Sequence, residues 1–123
     1  MNKKRCLVVD DSEAIIKRLT LILESLGHEV VGSAATGVEA VGKAAALQPD
    51  LITMDIQMPE MDGLEATKRI LAAQPDKTVI IISAHGQEST VVDALDAGAK
   101  YFLRKPIEKE NVRAVLEKVF LDD

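Results

Sequence analysis

Short, almost uninterrupted apolar runs recur along the chain at Cys6–Val9, Leu51–Met54 and Val79–Ile82. Runs of this kind, rich in β-branched residues, predict strands buried on both faces of a parallel sheet. Glu29–Ala34 and Lys100–Arg104 are weaker runs and predict edge strands. The segments between them have helical spacing. Ile15, Leu19, Ile22 and Leu26 share one face, and Ile16 and Leu23 widen that stripe. Val38, Val41 and Ala45 predict a second stripe, and Leu64, Thr67, Ile70 and Leu71 a third. Val91 and Leu95 mark a fourth; Val112, Val115, Leu116 and Val119 mark a fifth.

The residues between these segments agree with the pattern. Thr36 followed by Glu39 is a capping-box pair opening the second helix. Gly27 and Gly98 fall where the first and fourth helices should stop. Pro49 and Pro75 cannot continue a helix and disfavour helical geometry at Gln48 and Gln74. The expectation is a (βα)₅ chain in α/β class. Right-handed crossovers then give a doubly wound, five-stranded parallel sheet with helices on both faces. The whole of 1–123 reads as a single domain, with no internal repeat or low-complexity segment.

Composition narrows what such a domain does. At 123 residues the chain has the length of one domain, and 47% hydrophobic with 28% charged residues is a globular balance. Aromatics are only 2%, so Val, Ile, Leu and Ala must build the core. A net charge of −5 argues against direct nucleic-acid binding, which needs a basic surface. No apolar run is long enough to span a bilayer, and no signal-peptide core follows Met1–Arg5, so no membrane partner and a cytoplasmic location are expected. The single cysteine, Cys6, excludes a disulfide framework and is expected to be a small buried core residue.

In a doubly wound sheet, ligands bind beyond the carboxyl ends of the strands. Those ends carry Asp10–Asp11, Asp55, Ser83 and Lys105–Pro106. Taken alone, Asp10–Asp11 would pass for a turn with a helix cap, and Ser83 for an ordinary strand-end hydroxyl. Three carboxylates converging on one pocket repel, and one would take up a proton unless compensated. A divalent cation and one lysine would neutralise them. All-oxygen ligands suit Mg²⁺ or Mn²⁺. A carboxylate can attack phosphorus to give an acyl phosphate, with metal, lysine and hydroxyl holding the equatorial oxygens. There is no G-x-x-x-x-G-K or G-x-G-x-x-G cradle for nucleotide phosphates. Asp62–Gly63 is read as turn chemistry, His28 as a solvated helix-end residue, and His85 as a loop residue near the site. Tyr101 should alternate away from Phe102, and Glu108 to Lys118 should give helix five a solvated face.

V-V-D-D at 8–11, M-D-I-Q-M-P-E-M-D-G at 54–63, I-I-S-A at 81–84 and F-L-R-K-P at 102–106 resemble the receiver domain of two-component response regulators. The resemblance covers essentially the whole chain. It implies the flavodoxin-like strand order 2-1-3-4-5 and phosphorylation of Asp55 by a histidine kinase or phosphotransfer domain. By the same resemblance, Asp11 and Asp55 would bind Mg²⁺ directly, with the Gln57 backbone carbonyl as a third ligand and Asp10 acting through water. Lys105 would pair with the phosphoryl group, Ser83 would be the switch hydroxyl and Phe102 the switch aromatic. The Lys105–Pro106 bond would be cis, and Gln57 and His85 would tune hydrolysis of the phosphate.

S-A-H-G-Q at 83–87 and G-A-K-Y-F-L-R-K-P at 98–106 resemble chemotaxis (CheY-like) receivers, which bind the flagellar motor switch. The output face implied is helix four, strand five and helix five. A receiver belonging to a larger DNA-binding or enzymatic regulator is the alternative, since the end at Leu121–Asp123 fits either. A Mg²⁺-dependent aspartyl-phosphate hydrolase is a further one. Those enzymes place a second catalytic Asp two residues after the nucleophile, where this chain has Gln57. Self-phosphorylation and self-hydrolysis are therefore expected, and enzymatic turnover is not.

Overall fold

The computed structural model describes residues 2–84 and 86–121. Its strands are β1 (Arg5–Val9), β2 (Glu29–Ala34), β3 (Leu51–Met54), β4 (Thr78–Ser83) and β5 (Tyr101–Arg104). They alternate with helices α1 (Glu13–Ser25), α2 (Gly37–Leu47), α3 (Gly63–Ala73), α4 (Glu88–Asp96) and α5 (Lys109–Val119). All strand pairs are parallel, in the order β2-β1-β3-β4-β5, so the weakly apolar runs lie at the edges as expected.

Strand alternation sorts the side chains into two cores. Leu7, Val9, Ile52, Met54, Val79 and Ile81 face the side covered by α2, α3 and α4. Cys6, Val8, Leu51, Ile80 and Ile82 face α1 and α5. Tyr101 and Phe102 part company in the same way, Tyr101 packing with the second set and Phe102 with the first. Burial pushes the Cys6 thiol up to about 12, aided by the nearby Asp50 charge, so this cysteine is an inert core residue.

The helix stops and caps follow local chemistry. Gly27 and Gly98 take positive φ values of 93° and 105°, conformations that glycine adopts without steric cost. Thr36 caps α2 by accepting from the Glu39 N–H at 3.1 Å, while the Glu39 carboxylate reaches back to the Ala35 N–H rather than to that of Thr36. Asp62 caps α3 through the Glu65 N–H at 2.9 Å, the turn role expected of it. Arg113 pairs with Glu110 and Glu117 on the solvated face of α5.

Three expectations are corrected. The inner face of α2 is Gly37, Ala40 and Ala44, flanked by Val41 and Leu47, whereas Val38 is 49% exposed and Ala45 lies outside. The helix packs through its small residues, and at its start Gly37 lies so near the loop before α3 that a Cβ there would meet the Met61 carbonyl oxygen at 2.3 Å. On α4 the inward residue is Ala94, and Leu95 is 49% exposed. His28 is buried, not solvated, because its Nδ1 accepts the Lys4 N–H at 3.0 Å just before the β1–β2 ladder begins. Burial, and then the Lys4 charge, hold its pKa below the usual histidine range.

The loop after β3 folds back on itself. The Gly63 N–H donates to the Ile56 carbonyl at 2.8 Å, and a Cβ on Gly63 would lie 1.9 Å from the Asp55 carbonyl oxygen. Backbone stands in the way, so no rotamer change can relieve the clash. Gly63→Ala should destabilise the protein by about 3 kcal/mol, the upper end for overpacking. Gly42, inside α2 with nothing near its Cβ position, is the control: Gly42→Ala should stabilise by about 0.5–1 kcal/mol. Urea unfolding of the two variants beside wild type measures both.

Candidate functional site

At the carboxyl edge of the sheet, the backbone ladder continues one residue past three strands. The N–H groups of Asp10, Asp55 and Lys105 donate to the carbonyls of Ala34, Val9 and Ser83, each at 3.0 Å. Every one of these side chains therefore starts from backbone held by the neighbouring strand. That is how short strands can aim charged groups with little slack.

Asp10 is the most deeply buried of the three carboxylates, only 1% exposed. One of its oxygens takes the Lys105 ammonium at 2.8 Å, and the other accepts the Ser12 N–H at 3.0 Å. Ser12 is itself the N-cap of α1, accepting the Ile15 N–H, so Asp10 joins β1 to the start of that helix. Asp55, 6% exposed, ends the central strand, with its carboxylate 3.5 Å from the same ammonium. Asp11 is exposed at the rim, and ligand oxygens from Asp10, Asp11 and Asp55 all lie within 4.8 Å of one another.

The electrostatics follow from this crowding. Burial first, and then repulsion from Asp10, raise the Asp55 pKa; Lys105 and the Ile56 N–H oppose the rise, and Asp11 adds to it. Burial alone would lower Lys105, but its bond to Asp10 and the charges of Asp55 and Asp10 outweigh that, so its pKa is raised. One ammonium faces three carboxylates, a shortfall of positive charge that a divalent cation would fill. The donor set is all oxygen, as hard cations require.

The remaining expected residues are placed as follows. Ser83 is fully buried at the end of β4, and its carbonyl holds the Lys105 backbone. Phe102 is half-buried on β5, in register with Ile81. Gln57 is exposed on the loop after β3. The Lys105–Pro106 bond is cis. His85 lies outside the described residues.

Two contributors escaped the sequence reading. Ser12 acts through its backbone N–H, which no side-chain pattern reveals. Arg18 sends its guanidinium to the Ile107 carbonyl, just beyond Lys105. The available signal was its position, three after Ile15 and four before Ile22, which puts a long polar side chain at the margin of an apolar stripe.

A raised Asp55 pKa means that the folded protein holds this proton more tightly than the unfolded chain. The group therefore favours folding at low pH, and that contribution is lost as pH rises through its folded value. In metal-free buffer, Asp55→Asn should raise stability at pH 7 by roughly 0.5–2 kcal/mol, the common range for a stabilising substitution. The advantage should narrow on acidification, as followed by urea unfolding across the pH series.

Comparison with known proteins agrees with the fold. A family model, the response regulator receiver domain, matches residues 6–117. The chemotaxis protein CheY of Thermotoga maritima is 45% identical over 116 residues, covering 94% of this chain and 97% of that protein. CheY of Bacillus subtilis is 44% identical, covering 93% and 95% respectively. Among solved structures, a CheX–CheY–BeF3–Mg²⁺ complex from Borrelia burgdorferi superposes with a TM-score of 0.92 at 40% identity, covering 94% of this chain and 88% of that one. With the family model spanning nearly all of the sheet and helices, and the acidic cluster at its carboxyl edge, the chain belongs to the response regulator receiver domain family.

Proposed function

We propose that Asp55 accepts a phosphoryl group from a histidine kinase or phosphotransfer domain and so switches a CheY-type chemotaxis regulator. The observation that carries this is the buried Asp55 carboxylate, 3.5 Å from the Lys105 ammonium and clustered with Asp10 and Asp11. In this reading an Asp55 oxygen attacks phosphorus as the donor's P–N bond breaks, leaving an acyl phosphate on Asp55 and the imidazole on the donor. Mg²⁺, when bound, supplies positive charge against the phosphoryl oxygens. It would be held by Asp11, Asp55 and the Gln57 backbone carbonyl, with Asp10 acting through water. Lys105 pairs with the transferred group and Ser83 offers it a hydroxyl.

The reading extends to output. A Ser83 drawn towards phosphate, with Phe102 turning inward, would remodel the face formed by α4, β5 and α5. A protein partner binding one form better then shifts the equilibrium, and a flagellar motor switch is the partner that the chemotaxis likeness suggests. The B. burgdorferi neighbour, a CheY held with CheX, BeF3 and Mg²⁺, supports both the metal and a protein partner. Similarity to CheY proteins over nearly their whole length favours this over a receiver serving a larger regulator. Gln57, where a hydrolase would carry its second Asp, favours a phosphoacceptor over an enzyme acting on free substrates. Among the described residues no helix is long and apolar enough to cross a membrane, which is compatible with a cytoplasmic location.

Incubation with acetyl phosphate and Mg²⁺, followed by intact mass, tests the proposal. Wild type should gain one acid-stable, base-labile phosphoryl group; chelation of the metal should prevent it, and Asp55→Asn should not gain it. Equal labelling of Asp55→Asn would remove Asp55 from the mechanism. Exchanging both Gln57 and His85 should change the lifetime of the phosphate, read as decay of the same mass peak.

A further inference from the structure

The segment that follows Lys105 has few backbone anchors of its own. Pro106 has no N–H to donate, and Glu108, the N-cap of α5, makes no side-chain cap bond. Ile107 buries its side chain in the core beneath α1 and α5. Its carbonyl lies outside the helix ladder, whose first bond runs from the Val112 N–H to the Glu108 carbonyl. Arg18 of α1 takes that carbonyl with two donors, Nε at 2.8 Å and Nη2 at 2.6 Å. The acceptor is a neutral carbonyl, so the grip supplies direction rather than charge compensation.

The same helix also holds the other half of the lysine pair. Its N-cap residue Ser12 donates its N–H to Asp10 at 3.0 Å, and Asp10 holds the Lys105 ammonium at 2.8 Å. One end of α1 thus fixes the carboxylate, while Arg18, one to two turns further on, fixes the chain two residues beyond the lysine. From the other side the Ser83 carbonyl holds the Lys105 N–H at 3.0 Å. Asp10 holds the ammonium itself, but the direction from which the flexible lysine stem approaches is set by where its backbone is held. Misplacing a reacting group by about 1 Å can cost up to a hundredfold in rate.

We propose that Arg18 is a positioning residue for phosphoryl transfer, setting through the Ile107 carbonyl where Lys105 stands opposite Asp55. The role rests on the reading of Asp55 as phosphoacceptor. It requires Arg18 to act through Lys105, and that dependence can be measured. Initial rates of Asp55 phosphorylation by acetyl phosphate and Mg²⁺ are compared for wild type, Arg18→Ala, Lys105→Met and the double variant. A small donor keeps any protein docking on α1 out of the readout.

Arg18→Ala should slow the reaction on the order of tenfold, within the range that misplacement produces. Lys105→Met should slow it at least as much, and the double variant should match Lys105→Met alone. An unchanged rate in Arg18→Ala overturns the role, and so does an equal fold-loss in both backgrounds, which a merely structural arginine would give. Should Arg18→Ala fail to fold, Arg18→Lys carries the same comparison, keeping the charge and stem but not the two-pronged bond. A wild type that takes no phosphoryl group overturns the underlying reading. A phosphorylated wild type with additive Arg18 losses overturns this role alone.

Discussion

One ammonium set among three carboxylates is the constraint on which the site depends. Lys105 lies 2.8 Å from Asp10 and 3.5 Å from Asp55, with Asp11 at the rim. Asp10 and Asp55 are buried, where an unpaired charge is costly, and a single lysine cannot satisfy both. Burial first, and then repulsion from Asp10, raise the pKa of Asp55, and Lys105 does not cancel that rise. The pocket is therefore held in a state that an added cation relieves.

The fold provides this arrangement through its register. Parallel strands β1, β3 and β4 run side by side, and the ladder reaches one residue past each of β1, β3 and β5, to Asp10, Asp55 and Lys105. The loop after β3 returns at Gly63 close against the Asp55 backbone, which leaves that residue little freedom. On the other side of the sheet edge, α1 braces both Asp10 and the turn after Lys105. By contrast, α4 buries only Ala94 and leaves Val92 and Leu95 exposed. The helix that follows Ser83 is thus lightly anchored, and local stability of that kind marks the parts of a protein that move most readily.

Much of this was legible in the chain. Continuous apolar runs named the buried strands, because a strand covered on both faces cannot show polar alternation. The placement of the candidate residues was legible because topology sends strand ends to one edge, where Asp10, Asp11, Asp55 and Lys105 cluster and Ser83 ends β4. What escaped was whatever depends on small residues or on backbone groups. The face of α2 was misread because Ala40 and Ala44 carry little hydrophobic signal beside Val38, yet they are the residues that the helix buries. His28 was misread because its partner in the fold is the main-chain N–H of Lys4, which the identity of residue 4 does not announce. Ser12 and Arg18 contribute through a main-chain N–H and to a main-chain carbonyl, and neither partner leaves a mark on composition or periodicity.

The charge shortfall can be measured where it arises. Titration of the Asp55 carboxyl carbon by ¹³C NMR, first in metal-free buffer and then with Mg²⁺, reads the balance of charge in the pocket. The account predicts a midpoint above the ordinary aspartate value of 3.8 without metal, falling once Mg²⁺ is added. A metal-free midpoint at or below that value, unmoved by Mg²⁺, would contradict it.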